Sequence, residues 1–213
     1  MSGRRATLVI ATGHALSLAL LDGGRVVAGR HLPVAAGHAE AVVPAIGDLL
    51  GCGGGARIGQ VFVETGPGSF TGLRVGLAAA RALALAWSAE LRGIPSASLI
   101  AAEAGKRGAT TPLLVALAAP RGQVWLVEPG TSAAPGPARS LWPDAARAIA
   151  DAWIDSGGEV TGSGAPALVG ARAGPERAPR ADAAALLPLS ALVPPRALYV
   201  SAERGAAGGL VSV

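Results

Sequence analysis

Side chains able to do covalent or metal chemistry are few in this 213-residue chain. Cys52 is the single cysteine and sits in a glycine run, so no intrachain disulfide forms and a reducing compartment fits. Ser69 has no Gly-x-Ser-x-Gly setting of the kind that presents a nucleophile at a strained strand-to-helix turn. The three histidines are His14, His31 and His38. A helical metal pair needs a second imidazole one turn on, and position 42 is Val42.

The most informative stretch is Glu64-Thr-Gly-Pro-Gly-Ser-Phe-Thr-Gly-Leu-Arg-Val-Gly76, a glycine-rich turn between an apolar run and an Ala-rich one. Such a turn can bind an anion at a helix N-terminus. The glycines Gly66, Gly68 and Gly72 miss the dinucleotide spacing by one residue, no lysine follows as a Walker loop requires, and Pro67 offers no N–H. On spacing alone a plain strand-to-helix turn is favoured over a phosphate site. Thr71 is the expected N-cap. Arg74 then falls in the first helical turn, where the dipole disfavours a cation by ~0.3–1 kcal/mol, so a carboxylate from Glu64, Glu40 or another chain, or a bound anion, is expected beside it.

The elements that position these residues follow from periodicity. Ala6–Ala11 and Ala15–Leu21 read as strands, and Asp22-Gly23-Gly24 as a hairpin into a third strand at Arg25–His31. Gly37–Leu50 reads as a helix bent by Pro44, Gly59–Glu64 as a buried strand and Gly72–Ser88 as the strongest helix. A short helix is expected at Ala97–Ala104. Within the strongest helix Gly72, Gly76, Ala79 and Ala80 make a smooth face opposite Leu77 and Leu85; periodicity favours its packing on the chain's own sheet, and an interface is the alternative. The pattern then restarts with strands at Pro112–Ala118 and Gly122–Glu128, followed by a loop at Pro129–Pro137, helices at Asp144–Trp153 and Ala181–Leu192, and a flexible tail from Gly205–Gly209. Three strands, helix, strand, helix and a reduced repeat is the order of the actin-like ATPase fold. The expected organisation is therefore α/β with two lobes (ASKHA, ribonuclease H-like), residues 1–105 forming the first and 106–213 a reduced second.

Composition narrows the function classes. Hydrophobic residues make up 51% and aromatics 3%, which gives an Ala/Val/Leu core with close backbone approach at many of the 31 glycines. All but one of the 18 basic residues are arginines, spread singly, and the net charge is +4; direct RNA binding is not signalled by any cluster in the sequence. Arg4 and Arg5 before an apolar run imitate a secretory leader, but Leu16, Leu18 and Leu20 alternate as in a strand. The run from Gly72 to Trp87 is short for a membrane span and contains Arg74 and Arg81. A cytoplasmic protein with no membrane association is expected.

The run Gly66-Pro-Gly-Ser-Phe-Thr-Gly-Leu-Arg-Val-Gly76, between a strand and an Ala-rich helix ending at Trp87, resembles the signature of the bacterial TsaB (YeaZ) family. His38-Ala-Glu40 with Val42, Val43, Pro44, Ile46, Leu49 and Leu50 resembles that family's first helix, and Arg121-Gly-Gln-Val-Trp125 its second-lobe hairpin. The likeness covers about residues 7–128 and fades beyond. It implies a non-catalytic subunit, an inactive relative of the TsaD catalytic subunit and of glycoprotease-like proteins, in the machinery that makes N6-threonylcarbamoyladenosine in tRNAs reading codons that begin with A. The implied partners are TsaD in a heterodimer and the ATPase TsaE, with a homodimer in isolation and tRNA met only through the complex. The resemblance favours the interface reading of the smooth face and implies partner contacts at His38, Glu40, Val42, Ile46, Gly72, Arg74, Gly76, Ala79, Ala80 and Leu83.

The residues speak separately against chemistry. Actin-like ATPases place a carboxylate at the first strand turn of each lobe to hold a hydrated divalent cation at the phosphates. Here those turns read Ala11-Thr-Gly-His14 and Ala118-Ala-Pro-Arg121, whereas the resembled family commonly has Asp where Ala11 and Ala118 stand. No tightly bound cofactor is expected, and a nucleotide at a subunit junction is left open. The competing readings are an actin-fold ATP-dependent enzyme, a glycoprotease-like peptidase, and a direct tRNA-binding module.

Overall fold

The computed structural model describes residues 5–32, 38–52, 57–108, 112–128, 130, 135–175, 177–200 and 210–212. The expected tail at 205–209 and much of the loop at 129–137 lie outside them.

The first sheet contains β1 (Ala6–Ala11), β2 (Leu16–Asp22), β3 (Arg25–Leu32), β4 (Ile58–Gly66) and β5 (Glu90–Pro95) in the order β3-β2-β1-β4-β5. The β1–β2 and β2–β3 pairs are antiparallel, while β4 and β5 run parallel to β1. Strand alternation sorts the side chains to two buried faces. Leu8, Ile10, Leu16, Leu18, Leu20, Val61 and Val63 meet α1 (His38–Cys52) and α2 (Phe70–Trp87) on one face. Val9, Ala11, Ala19, Leu21 and Phe62 form the other, against α3 (Ser96–Lys106) and the returning segment at Ala181–Ala184.

The second sheet contains β6 (Leu113–Ala118), β7 (Val124–Val127), β8 (Ala138–Leu141) and β9 (Glu159–Thr161) in the order β8-β7-β6-β9. This repeats the order of the first sheet without its fifth strand. Likewise α4 (Pro143–Asp155) precedes β9 as α1 precedes β4, and α5 (Ala165–Val169), five residues long, follows β9 where the 18-residue α2 follows β4. The duplication read from the sequence is therefore present in the strand order, in an α/β, actin-like architecture with a reduced second lobe.

Two expectations need correction. The helix expected at Ala181–Leu192 consists of 3-10 turns at Ala181–Leu186 and Leu189–Ala191, because its alanines pack flat on the first sheet and Pro188 interrupts the chain. The chain after Ala181 also returns to the first lobe: Val193 and Gly93 exchange backbone hydrogen bonds, and Ala197 and Tyr199 pack with the α1/α2 core. Among the described residues, the segment from Ala181 to Val200 therefore packs against the first lobe. In the adjoining β10 (Leu198–Val200), Leu198 and Val200 face a core cluster built from α3 and the second sheet, so this strand touches both lobes.

Candidate functional site

Thr12, Gly13 and His14 form the turn after β1, and the glycine-rich loop closes directly on it. Ser69 N donates to Gly13 O at 2.7 Å, and the Thr12 hydroxyl donates to Gly72 O at 2.8 Å. A Cβ on Gly68 would lie 2.8 Å from Gly13 O; one on Gly72 would run into the Thr12 carbonyl oxygen, and one on Gly76 into the Thr12 hydroxyl. These glycines let the start of α2 touch the β1–β2 turn. The N-cap of α2 is Ser69, two residues before the expected Thr71, and its hydroxyl accepts from Gly72 N at 3.2 Å. With the Ser69 and Gly72 N–H groups already bonded, the helix start is tied to the β1–β2 turn as a structural joint.

Glu64, at the end of β4, is 1% exposed and has no Arg or Lys partner among the described residues. Its carboxylate accepts from Gly13 N at 2.6 Å and from the Ser96 hydroxyl at 2.6 Å, and His14 Nδ1 lies 3.4 Å away. Burial pushes its pKa up, but the nearby His14 and the hydrogen bonds from Ser96 and Gly13 hold it below the ordinary glutamate value. Glu64 thus ties β4, the β1–β2 turn and α3 together. Ser96 donates to this carboxylate, and neither it nor Ser69 forms a nucleophile–base pair with a histidine among the described residues.

Between the lobes lies a cleft of about 630 Å³, lined by Gly13, His14, Ser69, Phe70, Ala118, Pro120, Trp125, Ser163 and Arg177. Among the described residues that line it there is no carboxylate. Arg177 is committed to Glu159 and to Thr161 Oγ1, and Ser163 Oγ accepts from Ala118 N at 3.1 Å. Among the described residues no group of three His, Cys, Asp or Glu side chains gathers to hold a metal ion. The cleft has the place of an actin-like nucleotide site, and the acids that hydrated-cation chemistry uses are not among its described lining residues.

Among the described residues no carboxylate pairs with Arg74, although one is an expected partner. Its Nε donates to the Tyr199 hydroxyl at 3.0 Å, and its guanidinium lies 3.6 Å from the centroid of the Phe70 ring. A tyrosine 125 residues further along supplies the compensation. That partner carries no signal in local sequence.

The expected interface residues divide sharply. Val42, Ile46, Gly72, Gly76 and Ala80 are buried inside this chain, Ala79 and Leu83 are half-buried, and Glu40 and Arg74 are exposed. The His38 side chain lies outside the described residues. The smooth face therefore packs inward against Thr12 and the sheet, Leu77 is buried beside it, and Leu85 points outward at 84% exposure. On the outward side of the adjacent α1 stands Val43, 63% exposed. By length and composition α2 could cross a membrane, but Gly72, Leu73, Gly76, Leu77, Ala80 and Ala84 are buried in the protein, as in a core helix.

A family model described as TsaD, tRNA N6-adenosine threonylcarbamoyltransferase, matches residues 33–149. The chain is 32% identical over 93 residues to the tRNA threonylcarbamoyladenosine biosynthesis protein TsaB of Escherichia coli (strain K12). That alignment covers 43% of this chain and 40% of the relative, so the match spans about two fifths of the relative's length. Among solved structures, YeaZ from Pseudomonas aeruginosa superposes with a TM-score of 0.70 at 23% identity, covering 88% of this chain and 90% of that one. A second structure, of a protein with similarity to peptidase YEAZ from Pseudomonas aeruginosa, gives 0.71 at 22% identity over 88% and 89% of the two chains. These superpositions show a shared fold.

Proposed function

The chain belongs to the family of the TsaD tRNA N6-adenosine threonylcarbamoyltransferases and resembles its TsaB/YeaZ members, and from that premise we propose that it is a non-catalytic partner subunit in the formation of N6-threonylcarbamoyladenosine on tRNA. The observation that carries this reading is the outward face of α1 and α2, where Val43 and Leu85 stand exposed on helices whose inner sides are fully used by the core. Covering such apolar side chains is what a partner surface does. The proposed partner is the TsaD-type catalytic subunit, with the TsaE ATPase joining the assembly and a second copy of this chain occupying the same face when the partner is missing. Of the residues first assigned to the interface, Glu40, Arg74, Ala79 and Leu83 remain on or near this face, while Val42, Ile46, Gly72, Gly76 and Ala80 support it from within.

In this reading the chemistry belongs to the partner, which is supported by the lack of a carboxylate among the described residues lining the cleft. No tightly bound cofactor is proposed for this chain, and any nucleotide would sit at the junction between subunits. The setting is the cytoplasm. The test is a reconstitution of tRNA modification from the purified catalytic subunit, the ATPase and this chain. Modification should depend on this chain and fall at least tenfold with Leu85→Glu, while the chain alone releases no phosphate from ATP. ATPase activity that follows the isolated chain through several columns, or modification indifferent to Leu85→Glu, would reject the proposal.

A further inference from the structure

At the end of the first sheet remote from the cleft, Arg5 and Arg57 enter β1 and β4 side by side. Ala6 pairs with Ile58 across these parallel strands, and Ala6 N donates to Arg57 O at 2.9 Å, so the backbone holds the two arginines as neighbours. Gly59 shapes their setting: a Cβ there would collide with the Arg5 stem, which lies over the glycine. Both arginines border a groove of about 570 Å³ whose other walls are Leu50, Ile58, Trp87 and Ser88, at the ends of α1 and α2.

These two cations differ from the six arginines that the structure pairs with carboxylates. Arg30, Arg92, Arg107, Arg172, Arg177 and Arg180 each have a carboxylate partner. Arg5 and Arg57 are exposed and have no carboxylate partner among the described residues. The flanking sequences 1–4 and 53–56 contain no Asp or Glu. Two guanidiniums without a carboxylate partner among the described residues, on a groove with an indole wall, match a polyanion that also offers aromatic faces.

The geometry points to this groove as a binding site for the phosphate backbone of RNA, with Arg5 and Arg57 on phosphate oxygens and Trp87 beside a base or ribose. Guanidinium forks suit phosphate oxygens, and aromatic walls suit unstacked bases. An acidic peptide would satisfy the arginines and leave the indole unused. The choice of RNA over other polyphosphates rests on the tRNA-modification reading. Because the groove lies at the ends of α1 and α2, RNA held there would run along the edge of the proposed partner face.

The test measures binding of an unmodified tRNA transcript to the full chain across a salt series, for the natural sequence and for Arg5→Gln/Arg57→Gln, with Arg92→Gln as a single-charge control at a paired arginine. The double variant should lose about tenfold in affinity at low salt, and its log–log salt slope should be shallower by about 1.4, as expected for two lost contacts to a single-stranded segment. Arg92→Gln should stay within twofold of the natural chain. Arg5→Lys/Arg57→Lys should recover most of the binding, since charge is retained. Unchanged affinity and slope in the double variant, or polyglutamate displacing the RNA at equal charge concentration, would overturn the assignment. If the double variant melts below the assay temperature, Arg57→Gln alone carries the same test with half the slope change. Association with the catalytic subunit, measured on the same samples, should be unaffected, which separates failure of the groove from failure of the partner-subunit reading.

Discussion

After β4 the chain turns through Gly66 with φ 106°, and after β9 through Gly162 with φ 107°. Both values lie where side chains bearing a Cβ are strained. In both lobes the glycine that follows two residues on, Gly68 or Gly164, packs on the opposite strand turn, and a serine lies between the turn and the next helix. The surroundings differ. In the first lobe Glu64 precedes the turn, is buried, and collects hydrogen bonds from Gly13 and Ser96; at the corresponding place before Gly162 stands Val160, fully buried in an apolar cluster. The first turn feeds an 18-residue helix with a capped start, and the second a five-residue helix with no side-chain cap. The same backbone device thus serves a polar joint bearing an outward face in one lobe and a plain packing corner in the other.

The largest expected effect comes from closing the contact between the first turn and its helix. An exposed helical Gly→Ala change ordinarily gains about 1 kcal/mol. Gly72→Ala should instead destabilise by about 3 kcal/mol, because its Cβ meets the Thr12 carbonyl oxygen, which is backbone and cannot swing aside. A denaturant midpoint at or above that of the natural chain would contradict the joint as described.

Glu64→Gln should cost about 1–3 kcal/mol, since an amide replaces a carboxylate that accepts from two donors beside His14. Its pH dependence sharpens the contrast between lobes. The folded pKa of Glu64 is depressed, so its contribution is present above the unfolded glutamate value and is lost as pH falls through the folded one. The natural chain should lose stability on acidification through this window, and Glu64→Gln should lose less. Equal acid sensitivity in urea melts at pH 7 and pH 3.5 would remove Glu64 from that role.

Smaller effects should distinguish the two serines. Ser69→Ala removes the α2 cap and should cost about 1 kcal/mol, while Ser163→Ala removes one exposed acceptor for Ala118 N and should cost about 0.5 kcal/mol. If thermal denaturation reverses that order, the first joint is not the more tightly built one.

Legibility in the sequence followed the range of the interactions. β1 reads to the residue because its side chains alternate between two buried faces, and α4 is nearly as clear because Pro143 opens it. The short strands β8 and β9, four and three residues long, carry too few residues for a period and are defined by their neighbours. The 181–192 segment looks helical by alanine content, yet only the sheet beneath it selects its 3-10 turns. At the candidate site the glycine signature located the joint but not its direction. A Gly72/Gly76 face fits a sheet or a partner equally well, and only the position of Thr12, 60 residues earlier, decides it. The burial of Glu64 against Gly13 and the hydrogen bond of Arg74 to Tyr199 likewise depend on contacts far along the chain, whereas Phe70 lies one helical turn from Arg74.

The inward and outward faces of α2 can be separated in one experiment: melting temperature and affinity for the TsaD-type catalytic subunit, measured on the same preparations of Gly76→Leu and Leu85→Glu. Gly76→Leu should lower the melting temperature sharply, because Leu would be driven into Thr12, while the folded fraction still binds the partner. Leu85→Glu should leave the melting temperature within a few degrees and weaken binding at least tenfold, since an 84% exposed leucine contributes little to the isolated fold. Intact binding by a well-folded Leu85→Glu chain, or binding lost in a Gly76→Leu chain that melts normally, would contradict the outward face of α1 and α2 as the partner surface.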